Sequence, residues 1–428
     1  MTDYIVEEGR QTPVAAQVDV IVSGGGPAGF GAALCAARQG ARTVLLEQTG
    51  DIGGAATSGL MSHWTGNTKG GVYEEILQRS STPGYWRQAI DPEKLKTVLL
   101  EMLVEAGVMV HLYTFAVAPV LEAGRISGVI TESKSGRTAF LAPVVIDASG
   151  DGDIAARAGV PYQQGRETDG RMQPMTLMFK VAGVQGGLFP LPGSFESITP
   201  LADGTTLQQH ARETLPQPAG HVLLYETTLP GVVTVNMTNC IDVSGTSAED
   251  LTRATLTCRQ QMDAIVDFLR RFAPGFEGCF AISSAAQIGV RETRHFQGEY
   301  TLTEEDILTA RVFDDWVVTR AHFNFDIHNL DGSGLDENGV QHEFRQPRGY
   351  TIPYGCLLPV GVEGLLLAGR CISGTHKAHS NFRVMPICAN IGQAAGVAAA
   401  LAAQRGITPR ELPVGDIQQA LGAMGVEV

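Results

Sequence analysis

Two sets of residues in this chain have the types and spacing to do chemistry. The first is Gly24, Gly26 and Gly29, a Gly-x-Gly-x-x-Gly run with Pro27 and Ala28 between its last two members. Gly24 permits a tight turn, Gly26 lets main chain approach a pyrophosphate, and Gly29 lets a helix sit close on a strand. Glu47 closes the next apolar run, where a carboxylate can accept ribose hydroxyls. The second set can move protons or hold anions. Histidine changes charge near neutral pH, so His63, His295, His322, His328, His376 and His379 are candidate acids or bases. In Asp326-Ile327-His328 the outer residues share one side of a strand, so the carboxylate could orient the imidazole; a plain surface hydrogen bond is the alternative. Arg291 and Arg294, three apart, could share a helical or turn face as a fork for a carboxylate or phosphate, or form an interdomain salt bridge with Glu304 or Glu305.

The elements that must position these residues follow from patterning. Residues 18–22 read as a buried strand, 27–39 as a small-residue helix and 43–46 as a second strand. The helix N-terminus then points free N–H groups and its dipole at a phosphate. A glycine-rich loop with Gly53, Gly54 and Ala55 follows and suits the other side of a diphosphate. Asp91-Pro92 starts a helix with a stripe of Leu95, Val98, Leu99, Met102 and Leu103, closed at Gly107. Strands at 108–118, 125–132 and 138–141 form a meander, and an apolar strand then runs into Ala148-Ser149-Gly150-Asp151. From about residue 171 the pattern becomes antiparallel, with strands at 175–181, 222–228 and 232–237. Ser247-x-x-Asp250 reads as a capping box on a long helix ended by Pro274-Gly275. Late in the chain a strand at 365–368 runs into Gly369-Arg370, a polar loop and an Ala/Gly-rich helix starting near Pro386.

Composition narrows the class. The chain has 428 residues, 44% hydrophobic and 18% charged, and a formal charge of -14. That is globular, too long for one ordinary core, and too acidic for a nucleic-acid or anionic-membrane partner. Seven scattered cysteines without a CxxC give no iron–sulfur or zinc ligand set, so no metal is expected, and they suit buried thiols in a reducing cytoplasm. The polar, acidic N-terminal stretch does not read as a signal peptide, and residues 384–403 read as an internal helix rather than a membrane span. A cytoplasmic location is therefore expected, with homo-oligomerisation left open.

The element order points to a long coenzyme. A nicotinamide dehydrogenase would continue from Glu47 into further strand–helix repeats; this chain goes to the Gly53-Gly54 loop, a meander and a late return, which suits FAD held along its whole length. Several motifs carry a resemblance: Gly24-Gly25-Gly26-Pro27-Ala28-Gly29, Gly53-Gly54-Ala55-Ala56-Thr57, Asp147-Ala148-Ser149-Gly150-Asp151-Gly152, Gly289-Val290-Arg291-Glu292-Thr293-Arg294, Ala368-Gly369-Arg370-Cys371, and Arg383-Val384-Met385-Pro386 with Gln393-Ala394-Ala395-Gly396. With these the chain resembles the FAD-dependent oxidoreductases of the glutathione-reductase-like superfamily, in the bacterial group related to fumarate reductase flavoproteins. The resemblance implies that Gly24, Gly26, Pro27, Ala28, Gly29, Glu47, Gln48 and the loop Gly53-Gly54-Ala55 hold the ADP half of FAD. It implies that the main chain of Val117 meets the adenine and that Ala148, Ser149, Gly150 and Asp151 approach the diphosphate and ribityl. Gly369-Arg370 would pass the ribityl phosphate. Many relatives carry an acid where Arg370 stands, so Arg370 is expected to pair with phosphate. The helix beginning near Pro386 would aim its positive end at the flavin's pyrimidine edge.

The same resemblance ranks the acid–base candidates. His63 follows the diphosphate loop, where the chain should pass the isoalloxazine; its context, Gly59-Leu60-Met61-Ser62-His63-Trp64, does not match the covalent pattern of fumarate-reductase relatives, so FAD is expected to be non-covalent. His376 and His379 fall in a loop expected over the flavin, and Arg383 could meet substrate or flavin O2. The expected architecture is an α/β protein: a Rossmann-like FAD domain of 18–170 and 350–405 with a parallel sheet and meander crossover, and an inserted α+β substrate or cap domain of 171–349 with an antiparallel sheet. A tail of 1–17 and a tail of 406–428 with a short helix flank them. The expected activity is hydride transfer between a small organic substrate and flavin N5. Without a second GxGxxG, electrons would pass to or from the substrate, oxygen, a quinone or a partner protein. Two alternatives are a flavin monooxygenase fed by external NAD(P)H and a non-redox, thiazole-synthase-like enzyme.

Overall fold

Five short parallel strands form the sheet on which the rest is hung. A computed structural model describes residues 5, 9–341, 344, 346 and 348–427. In the order Leu365–Leu367, Val144–Asp147, Val20–Ser23, Thr43–Leu46 and Met109–His111, each strand pairs in parallel with the next. The four strands other than the edge strand Met109–His111 are wholly buried and mostly Val, Ile and Leu, because helices or loops cover both faces. The crossover from Thr43–Leu46 is the helix Pro92–Glu105, whose start is fixed by the Asp91 side chain accepting the Glu93 amide. The meander of Thr114–Glu122, Arg125–Ser133 and Gly136–Leu141 follows as three antiparallel strands.

Val14–Gln17 pairs in parallel with Gly136–Leu141, so the stretch taken as tail through residue 17 ends in an edge strand. Within that expected tail residues 1–4 and 6–8, and at the other end residue 428, lie outside the described residues.

Two helices meet over the sheet at main-chain distance. Pro27–Arg38 lies against Met385–Arg405, and a Cβ placed on Gly392 would sit 1.8 Å from the Ala28 carbonyl oxygen; one on Gly396 would sit 2.2 Å from that of Ala32. Only glycine at these two positions lets the returning helix reach the dinucleotide unit. Met385–Arg405 is long and apolar enough to cross a membrane, but nearly all of it is buried among the other elements.

A second core is built from a four-stranded antiparallel sheet in the order Leu224–Glu226, Val233–Val235, Phe179–Ala182 and Phe280–Ser284. The helix Ala248–Phe272 covers it with a stripe of Ile265, Phe268 and Leu269 against Phe179, Val181 and Val235. Ser247 caps that helix by accepting the Asp250 amide, but the Asp250 carboxylate takes the Ser244 amide rather than completing a reciprocal box. The first core resumes at Phe296 and includes Leu302, Phe313, Val317 and Phe325. This is well before residue 350, because the strand Trp316–Ala321 pairs antiparallel with Tyr350–Pro353. All seven cysteines are buried and free.

Candidate functional site

The turn after the first strand is held by charge and by contact. Gly24 has φ +97°, and its missing Cβ leaves room for the main chain of Ala148 and Ser149. A Cβ on Gly29 would lie 1.7 Å from the Gly24 carbonyl oxygen, so Gly29 shapes the turn without touching a ligand. Around Gly26 a Cβ would meet nothing within 4 Å, which leaves that main chain open for approach. The Glu47 carboxylate accepts the Gly25 amide at 2.7 Å, the Thr49 amide at 2.7 Å and the Thr49 hydroxyl at 2.8 Å. An ionised carboxylate offers about four lone-pair sites, so one remains for a ribose hydroxyl.

These residues line a cleft of about 430 Å³. Gly24, Gly26, Pro27, Ala28, Glu47, Gln48, Gly54 and Ala55 form one wall, and Ala148, Ser149, Gly150, Asp151, Gly369 and Arg370 form another. Arg383, Met385 and Cys388 close the far end. Gly53 is not on the wall; its φ of +111° makes the bend that brings Gly54 there. Val117 is also off the wall. It sits at the register shift between Ala116 and Ala118, and Thr114, Phe115 and Ala116 present the meander to the cleft instead. Pro386 opens the returning helix, while its neighbours Met385 and Cys388 do the facing.

Arg370 is paired with protein. Its guanidinium donates to Asp151 Oδ1 at 2.5 Å, an oxygen that also accepts from the Thr293 hydroxyl at 2.7 Å. The carboxylate and the cation lie together over Gly150, where a Cβ would collide with the guanidinium. Arg370 Nε remains buried without a partner. A wall acid, Asp151, thus already accompanies the cation expected to pair with phosphate.

At the far end charged side chains converge. Arg383 donates to the main-chain oxygen of Asp326 at 2.9 Å and to its carboxylate at 3.0 Å. His328 Nε2 lies 3.4 Å from the same carboxylate, so the two-apart geometry of Asp326 and His328 does form, in a buried place rather than at the surface. Arg291 donates to the Pro174 carbonyl at 2.5 Å and is buried beside them. Burial raises the Asp326 pKa, but His328 and the charges of Arg383 and Arg291 outweigh it and hold the carboxyl well below its usual range. Burial, then Arg291, pushes His328 down to about 4, so its ring is neutral at pH 7. Burial and the neighbouring Arg383 lower Arg291 to about 10.

The Arg291–Arg294 fork does not form, because no helix or turn stacks these positions. The segment runs out into the strand Arg294–Phe296, and Arg294 donates instead to the Asp151 carbonyl and to Asp153; neither Glu304 nor Glu305 is its partner. His63 stacks on Tyr225 with ring centres 4.6 Å apart, against the antiparallel sheet, and burial lowers it to about 4. His376 and His379 lie on a helix, His376–Phe382, capped by the Thr375 hydroxyl, where a loop was expected. His376 Nδ1 meets Glu292 Oε1 at 2.5 Å, and His295 Nε2 meets the same oxygen at 2.8 Å. His379 packs edge-on to His295. Glu292 and Asp326 are the residues sequence reasoning undervalued. The signal for Glu292 was a carboxylate set among Arg291, Arg294 and His295, too dense in charge for an indifferent buried strand.

With this geometry in place, the chain's relations are plain. Residues 19–421 match the FAD dependent oxidoreductase family, and the chain belongs to it. No curated protein matches the sequence. Among solved structures, the flavin-dependent brominase Bmp2 is similar at TM-score 0.50 and 11% identity, over 96% of this chain and 84% of that one. A geranylgeranyl bacteriochlorophyll reductase-like protein from Thermoplasma acidophilum gives TM-score 0.48 and 14% identity over 96% and 83%. The anhydrotetracycline hydroxylase OxyS from Streptomyces rimosus gives 0.46 and 11% over 95% and 66%. The likeness to the brominase is one of fold.

The protein is an FAD-dependent oxidoreductase, and the cleft fits that coenzyme: open main chain at Gly26, a spare acceptor site on Glu47, and a wall arginine with an unpartnered Nε.

Proposed function

We propose that this enzyme binds FAD without a covalent bond and oxidises or reduces a small organic acid, held by its carboxylate at Arg291 and Arg383. Bound flavin supplies the hydride-accepting or hydride-donating atom N5. The observation carrying the reading is a charge imbalance: two guanidiniums, the buried Arg291 and the largely buried Arg383, stand beside one carboxylate, Asp326, and Arg383 itself lines the cleft. An unneutralised cation away from water costs free energy, and an anionic ligand offsets that cost. Arg383 fixes the acid end, Asp326 holds Arg383 in place, and His328, neutral at pH 7, is the group within reach to take up or release one proton. His63, Tyr225 and Phe195 offer flat apolar faces nearby for the rest of the molecule. The domain of residues 171–349 would supply this substrate wall, and electrons would continue to oxygen, a quinone or a partner protein.

The test is anaerobic bleaching of the flavin by hydroxy acids, amino acids and, after chemical reduction, recolouring by unsaturated acids, each beside its neutral amide or ester. Expected is a response to acids that Arg291→Met or Arg383→Met lowers ~100-fold or more, mainly through apparent affinity. Equal response to neutral analogues would sink the carboxylate assignment. Rapid oxygen-dependent NADPH consumption would replace the whole reading with a monooxygenase.

A further inference from the structure

We propose that Glu292, His295 and His379 form a buried site for one divalent first-row transition-metal cation, of the zinc or iron(II) kind. One ligand atom from each of the three lies within 4.8 Å of the others. A zinc ion ~2.0–2.1 Å from each ligand sets them ~3.3 Å apart, so small side-chain rotations close the gap. The Glu292 Oε1 to His295 Nε2 separation of 2.8 Å is shorter than that and belongs to a hydrogen bond, which a cation between the two would replace.

The chemistry of the donors suits a cation. Glu292 offers a carboxylate oxygen, and His295 and His379 each offer an imidazole nitrogen. The Nδ1 atoms of His295 and His379 are both buried without a hydrogen-bond partner, and the two residues are 5% and 1% exposed. A buried imidazole nitrogen left unpaired is destabilising. A metal ion held at one of these nitrogens would offset that. Two imidazoles and one carboxylate leave open positions and favour zinc, iron or manganese over calcium or magnesium.

The surroundings complete the case. His376 holds Glu292 Oε1 from outside the three, as partners of ligating carboxylates do, and its own amide donates to Glu167 at 2.7 Å. His376, Glu167 and Thr375 also line a surface cavity of about 290 Å³. The site would tie the segment carrying Arg291 to the helix that ends beside Arg383, whose amide donates to the His379 carbonyl at 3.1 Å. It stands apart from the substrate assignment, since it depends on neither arginine.

The experiment uses the full-length, FAD-loaded protein with no histidine tag. Metal content is measured as purified, the protein is stripped with chelator, and zinc is added back in a calorimeter. Expected is one equivalent per chain, with binding weakened ~100-fold or more in His379→Ala and His295→Ala. A second arm uses wild type alone, in case those variants do not fold: cobalt(II) added to stripped protein should give the visible bands of a four- or five-coordinate, nitrogen-ligated ion, and zinc should displace them. No stoichiometric metal in either arm would overturn the site. So would binding that both folded variants keep, or cobalt bands typical of the six-coordinate aqueous ion.

Discussion

The two ends of the cleft are built from opposite materials. At the end proposed for the ADP half, the wall includes the glycines Gly24, Gly26 and Gly54, and the Glu47 carboxylate ties the turn together. At the inner end Arg383 lines the cleft, backed by the polar side chains of Asp326, His328 and Arg291, the four drawn from three separate segments. A main-chain site tolerates no added atoms but needs little electrostatic balance. A charged site tolerates changes of shape but not of charge. The difference makes each end sensitive to a different kind of substitution.

The largest effect should come from adding one side chain where the returning helix most closely approaches the first one. Gly392→Val drives a Cβ to 1.8 Å from the Ala28 carbonyl, and backbone cannot swing aside as a side chain can. The expected cost exceeds about 5 kcal/mol, comparable to the whole stability of an ordinary domain. Little soluble, yellow protein should be recovered. A variant that folds and holds flavin normally would show that the two helices do not meet as described.

At the inner end the matching experiment changes charge at constant shape. Asp326→Asn leaves Arg383 and Arg291 buried without their counter-ion, a loss of about 4 kcal/mol. Because the deficit is electrostatic, acetate or another small carboxylate should recover part of the melting temperature in the variant. Acetate should do less for wild type, where Asp326 already supplies a negative charge. Equal shifts in both would mean that no vacant cationic site exists there.

That contrast also explains what the sequence disclosed. A glycine cradle is written locally: Gly24 to Gly29, Glu47 and Gly54 lie in one stretch, and each is needed for a reason visible in its neighbours. The parallel sheet and the late return through Gly369 were legible for the same reason. The inner end is written across long separations. Arg291 reaches Pro174, and Arg383 reaches Asp326, so spacing along the chain could not show that Arg291 and Arg294 part company. Val117 falls at a register shift, which turns Ala116 rather than Val117 to the cleft. The histidines at 376 and 379 were assigned to a loop because the Thr375 cap that makes their helix is only seven residues from its end. Glu292 gathers His295 and His376 from segments that only the fold unites.

Acid should separate the ends as well. The folded His328 pKa is about 4 against an ordinary value near 6.5, so the unfolded chain binds the proton more readily. Its contribution is therefore intact above pH 6.5 and is lost as the pH falls from there to about 4. The full change is about 3 kcal/mol for this one ring. His328→Asn should flatten that part of the stability curve measured by urea unfolding, while Gly or Glu47 substitutions at the ADP end should leave its slope alone. A variant curve parallel to wild type between pH 6.5 and 4 would show that His328 is not held neutral.

The smallest expected effect tests the one charge at the ADP end. Glu47→Gln keeps size and shape, but replaces an oxygen by an NH₂ group that cannot accept. Since both oxygens already accept from Gly25 or Thr49, one of those amides must lose its partner or the ribose must. A single charge-assisted bond exchanged for a neutral one costs about 1.4 kcal/mol, or tenfold in affinity for FAD. Fluorescence titration of stripped protein with FAD measures it. The decisive comparison is with riboflavin 5′-phosphate, which lacks the adenosine half: its affinity should be unchanged by the substitution. If both ligands weaken alike, Glu47 acts by holding the turn rather than by touching the ribose, and the ADP end is then a purely main-chain site.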